Sequence, residues 1–115
     1  MIGKVQHFQA LQQAIQFAEE SHRVTGQNIA NINTPGYQTK EVRFDELVDR
    51  LSKSRETGGQ AFEVAETEGL QQRNDGNNVD LDRELAALKK NAMAYQTLTQ
   101  LLGSKMGILK QAING

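Results

Sequence analysis

Few residues in this 115-residue chain could carry chemistry, and their spacing decides against most of them. Glu19 and His22 stand three apart, the spacing with which helices offer paired ligands to a di-metal centre. Such a centre needs that pair twice, and the only other histidine, His7, lies far back on the same stretch. A seam histidine beside a solvated glutamate accounts for the pair. Asp75, Asn77, Asp80, Asp82 and Glu84 suggest a calcium loop, but Val79 stands where the EF-hand pattern requires Asp or Asn, and Gly76 is misplaced. A turn followed by a helix cap explains them better. Serines occur without a Gly-x-Ser-x-Gly setting, and no glycine-rich phosphate loop follows a strand. Cysteine is absent, which excludes disulfides, thiolate metal sites and cysteine nucleophiles. No catalytic, metal or cofactor-binding residue is assigned, and no enzyme activity or cofactor is expected.

The totals point the same way. Thirteen basic against fourteen acidic residues give a net charge of -1, so nucleic acid is not an expected partner. An apolar fraction of 37% with 5% aromatics and no Trp is thin for a compact monomer. No stretch approaches the roughly 20 apolar residues of a membrane span, and Met1 to Phe8 does not read as a cleaved secretory signal.

The elements that must position any site are helical. Leu81, Leu85, Leu88, Ala92, Tyr95, Thr99, Leu102, Met106, Leu109 and Ile113 recur at steps of four and three, a heptad seam held for more than four heptads. Leu98, Leu101 and Ile108 widen the stripe, so this helix wants more than one neighbour. Its apolar face would suit a membrane surface, but its polar face is not markedly basic. Asp80 is the expected N-cap, with Asp82 and Glu84 favoured by the helix dipole in the first turn and Lys105 and Lys110 towards the other end.

Phe8, Leu11, Ile15, Ala18, His22, Thr25, Ile29 and Ile32 form a second seam, broadened by Phe17 and Val24. Gly26 and the asparagines Asn28, Asn31 and Asn33 weaken its end, so helix is expected to about Asn31, fraying or tightening there. Thr34-Pro35-Gly36-Tyr37 then predicts a type II turn, with proline fixing φ and glycine supplying a positive φ.

Between the seams the pattern is short. Phe44, Leu47, Val48 and Leu51 fit a middle helix of two to three turns. From Ser52 to Asn78 it dissolves among Gly58-Gly59, Gly69 and Asn74-Asp75-Gly76, with Phe62 and Val64 giving only a hint of strand; this stretch is expected to be flexible. The residues therefore predict an all-α chain divided as 1–34, an N-terminal assembly helix; 35–79, turn, short helix and flexible middle; and 80–115, a C-terminal assembly helix. Two helices with surplus apolar faces predict a subunit that self-associates and becomes firm in a complex. A helical adaptor or export chaperone binding a partner helix is the alternative.

The run Asn28-Ile29-Ala30-Asn31-Ile32-Asn33-Thr34-Pro35-Gly36-Tyr37 resembles the Asn-x-Ala-Asn-x-x-Thr-Pro-Gly-Tyr signature of bacterial flagellar axial proteins. Asp75 to Glu84, followed by Asn91, Tyr95 and Ile113, is similar to the basal-body rod proteins among them, specifically those of the proximal rod. The resemblance implies antiparallel pairing of the terminal helices, as a coiled-coil-like bundle, into one α-domain. It implies helical packing around a channel, with other rod subunits, the basal-body adaptor and the inner-membrane ring as partners. It also implies passage through the flagellar type III export apparatus without a cleaved signal, a place in the periplasmic rod of the basal body, and transmission of torque without catalysis. Assembly contacts would then come from Phe8, Leu11, Ile15, Ile29 and Ile32 on the first helix. Leu85, Leu88, Tyr95, Leu98, Leu102, Met106, Leu109 and Ile113 would supply them on the last. Asn28, Asn31, Thr34, Pro35, Gly36 and Tyr37 would fix the first helix's exit and meet neighbouring subunits.

Overall fold

The computed structural model describes residues 2–44 and 62–114, with side chains from residue 7 onward. Helix α1 spans Ile2–Ala30, strand β1 Lys40–Phe44, strand β2 Phe62–Glu66 and helix α2 Leu81–Asn114. At ~1.5 Å per residue the helices are roughly 43 and 51 Å long. The molecule measures 64 × 30 × 17 Å, and its 17.9 Å radius of gyration exceeds the ~13 Å of a compact chain this long.

The helices run antiparallel. Asn28 meets Glu84, Thr25 meets Asn91, and Ala18 and His22 lie beside Ala92 and Tyr95, so lower numbers on α1 face higher numbers on α2. The seam on α1 is realised at Leu11, Ala18 and Thr25, all buried, but not at His22, which stays exposed. Burial passes instead to Val24, 2% exposed, and Asn28, 1% exposed.

The chain is mostly helical but not all-α, which corrects the expectation from periodicity. β1 and β2 pair antiparallel, with Val42 opposite Val64 and Phe44 opposite Phe62. Those four apolar side chains share one face because opposed residues in a ladder project the same way. Phe62 uses that face to meet Phe17 of α1 edge-to-face, ring centroids 5.8 Å apart. Phe17, whose place beside the α1 seam suggests a surface for neighbouring subunits, is therefore met by this chain's own pair of strands. Phe44, read as the start of a middle helix, is the last residue of β1; Leu47, Val48 and Leu51 lie outside the described residues. Of the stretch expected to be flexible, Phe62–Asn78 forms β2 and a loop bound to the rest of the chain, while 52–61 lie outside the described residues.

Asp80 caps α2 as expected, its Oδ1 accepting from the N–H groups of Asp82 at 3.1 Å and Arg83 at 3.3 Å. Lys110 sits inside the far end, since α2 continues to Asn114. Among the described residues the buried apolar set is only Leu11, Ala18, Val24 and Val79, whereas seven buried residues are polar or charged. What ties the elements together is therefore largely a polar cluster.

Candidate interlock and assembly surface

Tyr37 N–H donates to Thr34 O at 3.2 Å and Gly36 holds a φ of 76°, which is the type II turn read from the sequence. α1 tightens ahead of it through bonds from Ile32 to Ile29 and Thr34 to Asn31. The turn then lies against the loop that leads into α2. Gly36 N–H donates to Asp75 O at 2.9 Å, and a Cβ on Gly76 would sit 3.4 Å from the Gly36 Cα. Gly76 itself has a φ of 84°. A side chain there would meet a strained backbone, while its contact with Gly36 would be an ordinary one.

Asn77, fully buried, supplies the C-terminal cap of α1 from far along the chain. Its Nδ2 lies 2.9, 3.1 and 2.9 Å from the carbonyls of Asn31, Ile32 and Thr34 in the turn that follows α1, adding to the bonds that Asn31 O and Thr34 O accept from Thr34 N–H and Tyr37 N–H. The Arg73 guanidinium also reaches Ile32 O. Asn78 ties the loop to the approach to β1, its Oδ1 accepting from Thr39 N–H at 2.6 Å and its Nδ2 donating to Gln38 Oε1 at 3.0 Å.

Asn28 is the centre of the cluster. Thr67 N–H donates to Thr39 O, extending the ladder one residue before the Lys40–Glu66 pair. Alternation in an antiparallel ladder then turns the N–H and C=O of Lys40 away from β2. The Asn28 carboxamide meets both, accepting from Lys40 N–H at 3.0 Å and donating to Lys40 O at 2.8 Å, and so stands in for a neighbouring strand. Its Oδ1 also accepts from Tyr37 OH at 2.9 Å, and its Nδ2 donates to Glu84 Oε2 at 3.0 Å. One side chain thus joins α1, the turn, β1 and α2. Glu84, expected only to complement the helix dipole, is 4% exposed and belongs to this interlock.

The other residues named from the sequence divide by exposure. Leu11 is buried; Phe8, Ile15, Ile29, Ile32, Leu88, Leu98, Leu102 and Leu109 are half-buried. Leu85, Tyr95, Met106 and Ile113 are exposed, as are Leu101 and Ile108. Asn31, half-buried, donates to Gln27 O and accepts from the Thr34 hydroxyl; Thr34, Pro35 and Gly36 are exposed. Asn77, Asn78, Thr39 and Lys40 were not singled out as site residues. The signal available was a pair of adjacent amides between a positive-φ glycine and a helix cap, groups able to satisfy orphan backbone atoms. Glu19 and His22 stand on α1 beside Ala92 and Tyr95, and no group of three His, Asp or Glu side chains comes together among the described residues. Of the acids of the suspected calcium loop, Asp75 accepts from Asn77 N–H, Asp80 caps α2 and Glu84 accepts from Asn28.

An antiparallel helix pair, pinned at one end by buried amides and uncovered along α2, defines a helical protein of the assembling class. No family model matches the chain. It is 34% identical to the flagellar basal body rod protein FlgB of Bacillus subtilis (strain 168), over 93% of this chain and 92% of the relative. It is 30% identical to FlgB of Aquifex aeolicus, over 88% and 87%. Against FlgB of Salmonella typhimurium it is 29% identical over 90% of each. The chain belongs to the FlgB family of flagellar basal body rod proteins, structural components of the rod.

Two outcomes test the interlock. Asn28→Asp keeps an acceptor for Tyr37 and Lys40 N–H but sets a carboxylate oxygen against Lys40 O and Glu84. It is expected to cost about 3–5 kcal/mol in urea unfolding, against under ~1 kcal/mol for Asn31→Ala; equal costs would remove Asn28 from its central place. Burial, and after it the Glu84 carboxylate, hold the Tyr37 phenol above its ordinary pKa. The folded form then binds the proton more tightly, so this contribution to stability is complete below the unfolded-state value near ~10 and is lost as pH rises through the folded one. In a Tyr95→Phe variant, ultraviolet titration should show the remaining tyrosine ionising above the same chain in urea. Ionisation at or below the unfolded value would contradict the burial.

Proposed function

We propose that this chain is a subunit of the proximal part of the rod, packing helically with other rod subunits into the shaft that carries torque across the periplasm. The observation that carries this reading is the 34% identity to a FlgB along nearly the full length of both chains. The structure supports it through the uncovered residues of α2, among them Leu101, Met106, Ile108 and Ile113, which a lone helix pair leaves in water. In this role residues 1–34, 35–79 and 80–115 act as one unit without a catalytic step or cofactor. Other rod subunits, the basal-body adaptor and the inner-membrane ring are its neighbours, and the flagellar type III apparatus exports it without a cleaved signal.

The helix seams then divide their work. Leu11 and the half-buried residues facing the partner helix hold the subunit together, while Leu85, Tyr95, Met106 and Ile113 contact neighbours. The turn from Thr34 to Tyr37 presents an exposed edge to adjoining subunits, whereas Asn28 acts through the backbone it fixes.

Complementation of a strain lacking this chain tests the reading. The wild-type chain should restore swimming, and Leu101→Asp/Ile108→Asp should not, although its circular dichroism and urea midpoint match wild type. Normal swimming by that variant, or by the deletion strain itself, would contradict the proposal.

A further inference from the structure

The two-stranded sheet closes one of its edges and leaves the other open. Thr67 N–H donates to Thr39 O, and Lys40 stands opposite Glu66. Alternation along an antiparallel ladder therefore turns the backbone groups of Lys40, Val42 and Phe44 away from β2, and those of Phe62, Val64 and Glu66 away from β1. On the β1 side the Asn28 carboxamide occupies Lys40, so α1 stands against that edge. On the β2 side the Arg43 guanidinium reaches Glu66 O at 3.2 Å. Among the described residues, nothing meets the N–H groups of Val64 and Glu66 or the C=O groups of Phe62 and Val64.

This open edge combines apolar surface with charge of a single sign. Val64 is 45% exposed and Phe44 55%, on the face whose Phe62 meets Phe17. From Phe62 to Glu68 there are three acids, Glu63, Glu66 and Glu68, all exposed, with no base and no proline to discourage pairing at an edge. β1 shows what kind of strand this one accepts. Lys40 lies opposite Glu66, Arg43 opposite Glu63 and Val42 opposite Val64. Opposite charges and β-branched pairs across a ladder both favour neighbouring strands.

We propose that the outer edge of β2 takes an extended segment of a different protein as a third strand, one that alternates apolar residues with lysine or arginine. Main-chain bonds to Val64 and its neighbours supply affinity, and bases set against Glu63 and Glu66 supply selectivity. A second copy of this chain fits poorly. Its β2 brings three more carboxylates against the three already there, and the outward backbone of its β1 is engaged at Lys40 by Asn28. The edge uses no residue of α2, so it goes beyond the rod reading and does not depend on it.

Titration of the isotope-labelled full chain with a blocked synthetic peptide tests this. The probe is Thr-Lys-Thr-Val-Arg-Phe-Thr, which keeps the bases of β1; the control carries Glu in place of Lys and Arg. The basic peptide should shift the Val64 and Glu66 amide resonances and slow their hydrogen exchange. The acidic one should bind at least about fivefold more weakly. Val64→Pro, which removes an outward N–H that β1 does not use, should abolish binding. Should that variant disturb the strand, Glu63→Gln/Glu66→Gln keeps it and should remove the preference for the basic peptide. Unshifted Val64 and Glu66 amides, equal binding of the two peptides by the wild-type chain, or a preference that survives the double glutamine change would overturn the proposal. So would lost protection at Glu41 and Arg43, the mark of a peptide displacing β1, or Val64 shifts that follow protein concentration without peptide. None of these readouts involves swimming, so this edge and the rod assignment fail separately.

Discussion

The fold depends on the two-point contact between the Asn28 carboxamide and the backbone of Lys40. A helix end and a strand edge both carry backbone groups that lack partners, and leaving such groups buried without any costs about 1–3 kcal/mol each. Here each deficiency is met by an amide side chain from elsewhere in the chain. Asn28 of α1 completes the edge of β1, and Asn77 from the loop before α2 completes the end of α1. The exit of α1 is thus completed by the docked loop before α2, whereas α2 itself is capped locally by Asp80. Among the described residues, Thr39 Oγ1 is the one buried side-chain polar atom without a hydrogen-bond partner.

That polar closure explains how so modest a core holds a molecule 64 Å long. Val24, Val79 and the Phe17–Phe62 contact provide apolar burial, but the directional amide bonds fix which segment meets which. Away from the interlock the helix pair has fewer covers, and α2 keeps Met93, Leu101, Met106 and Ile108 in water. A subunit of this kind has its internal geometry decided at one end and its apolar surface available along the remainder. For a rod protein this separation lets a self-consistent unit offer contacts without first dismantling its own.

Much of this was legible in residue order. The two helices followed from heptad steps, the turn from Pro35 and Gly36, and the cap from Asp80, because each signal is local. The breadth of the α1 stripe at Phe17 and Val24 reads as a surface for other subunits, but Phe17 is met by the chain's own strands, whose pairing of residues 40–44 with 62–66 spans an interval that periodicity does not bridge. Lys40–Phe44 carries three charged residues among five, and Phe44 also fits a helical spacing with Leu47 and Leu51, so the helical reading won. The interlock was hidden for a different reason. Asn28 at a weak helix end looks like fraying, and Asn77 after Gly76 looks like a turn; each gains its role from backbone atoms far away in sequence.

Residue-resolved amide hydrogen exchange on the dilute protein tests most directly whether the polar interlock is the anchor of the fold. The N–H groups of Thr39, Lys40 and Val79, which donate to the side chains of Asn78, Asn28 and Asn77, should exchange as slowly as the most protected amides of α1. Amides of α2 beyond Lys105 should exchange faster. Rapid exchange at Thr39, Lys40 and Val79 with strongest protection at the far end of α2 would place the anchor elsewhere and contradict the account.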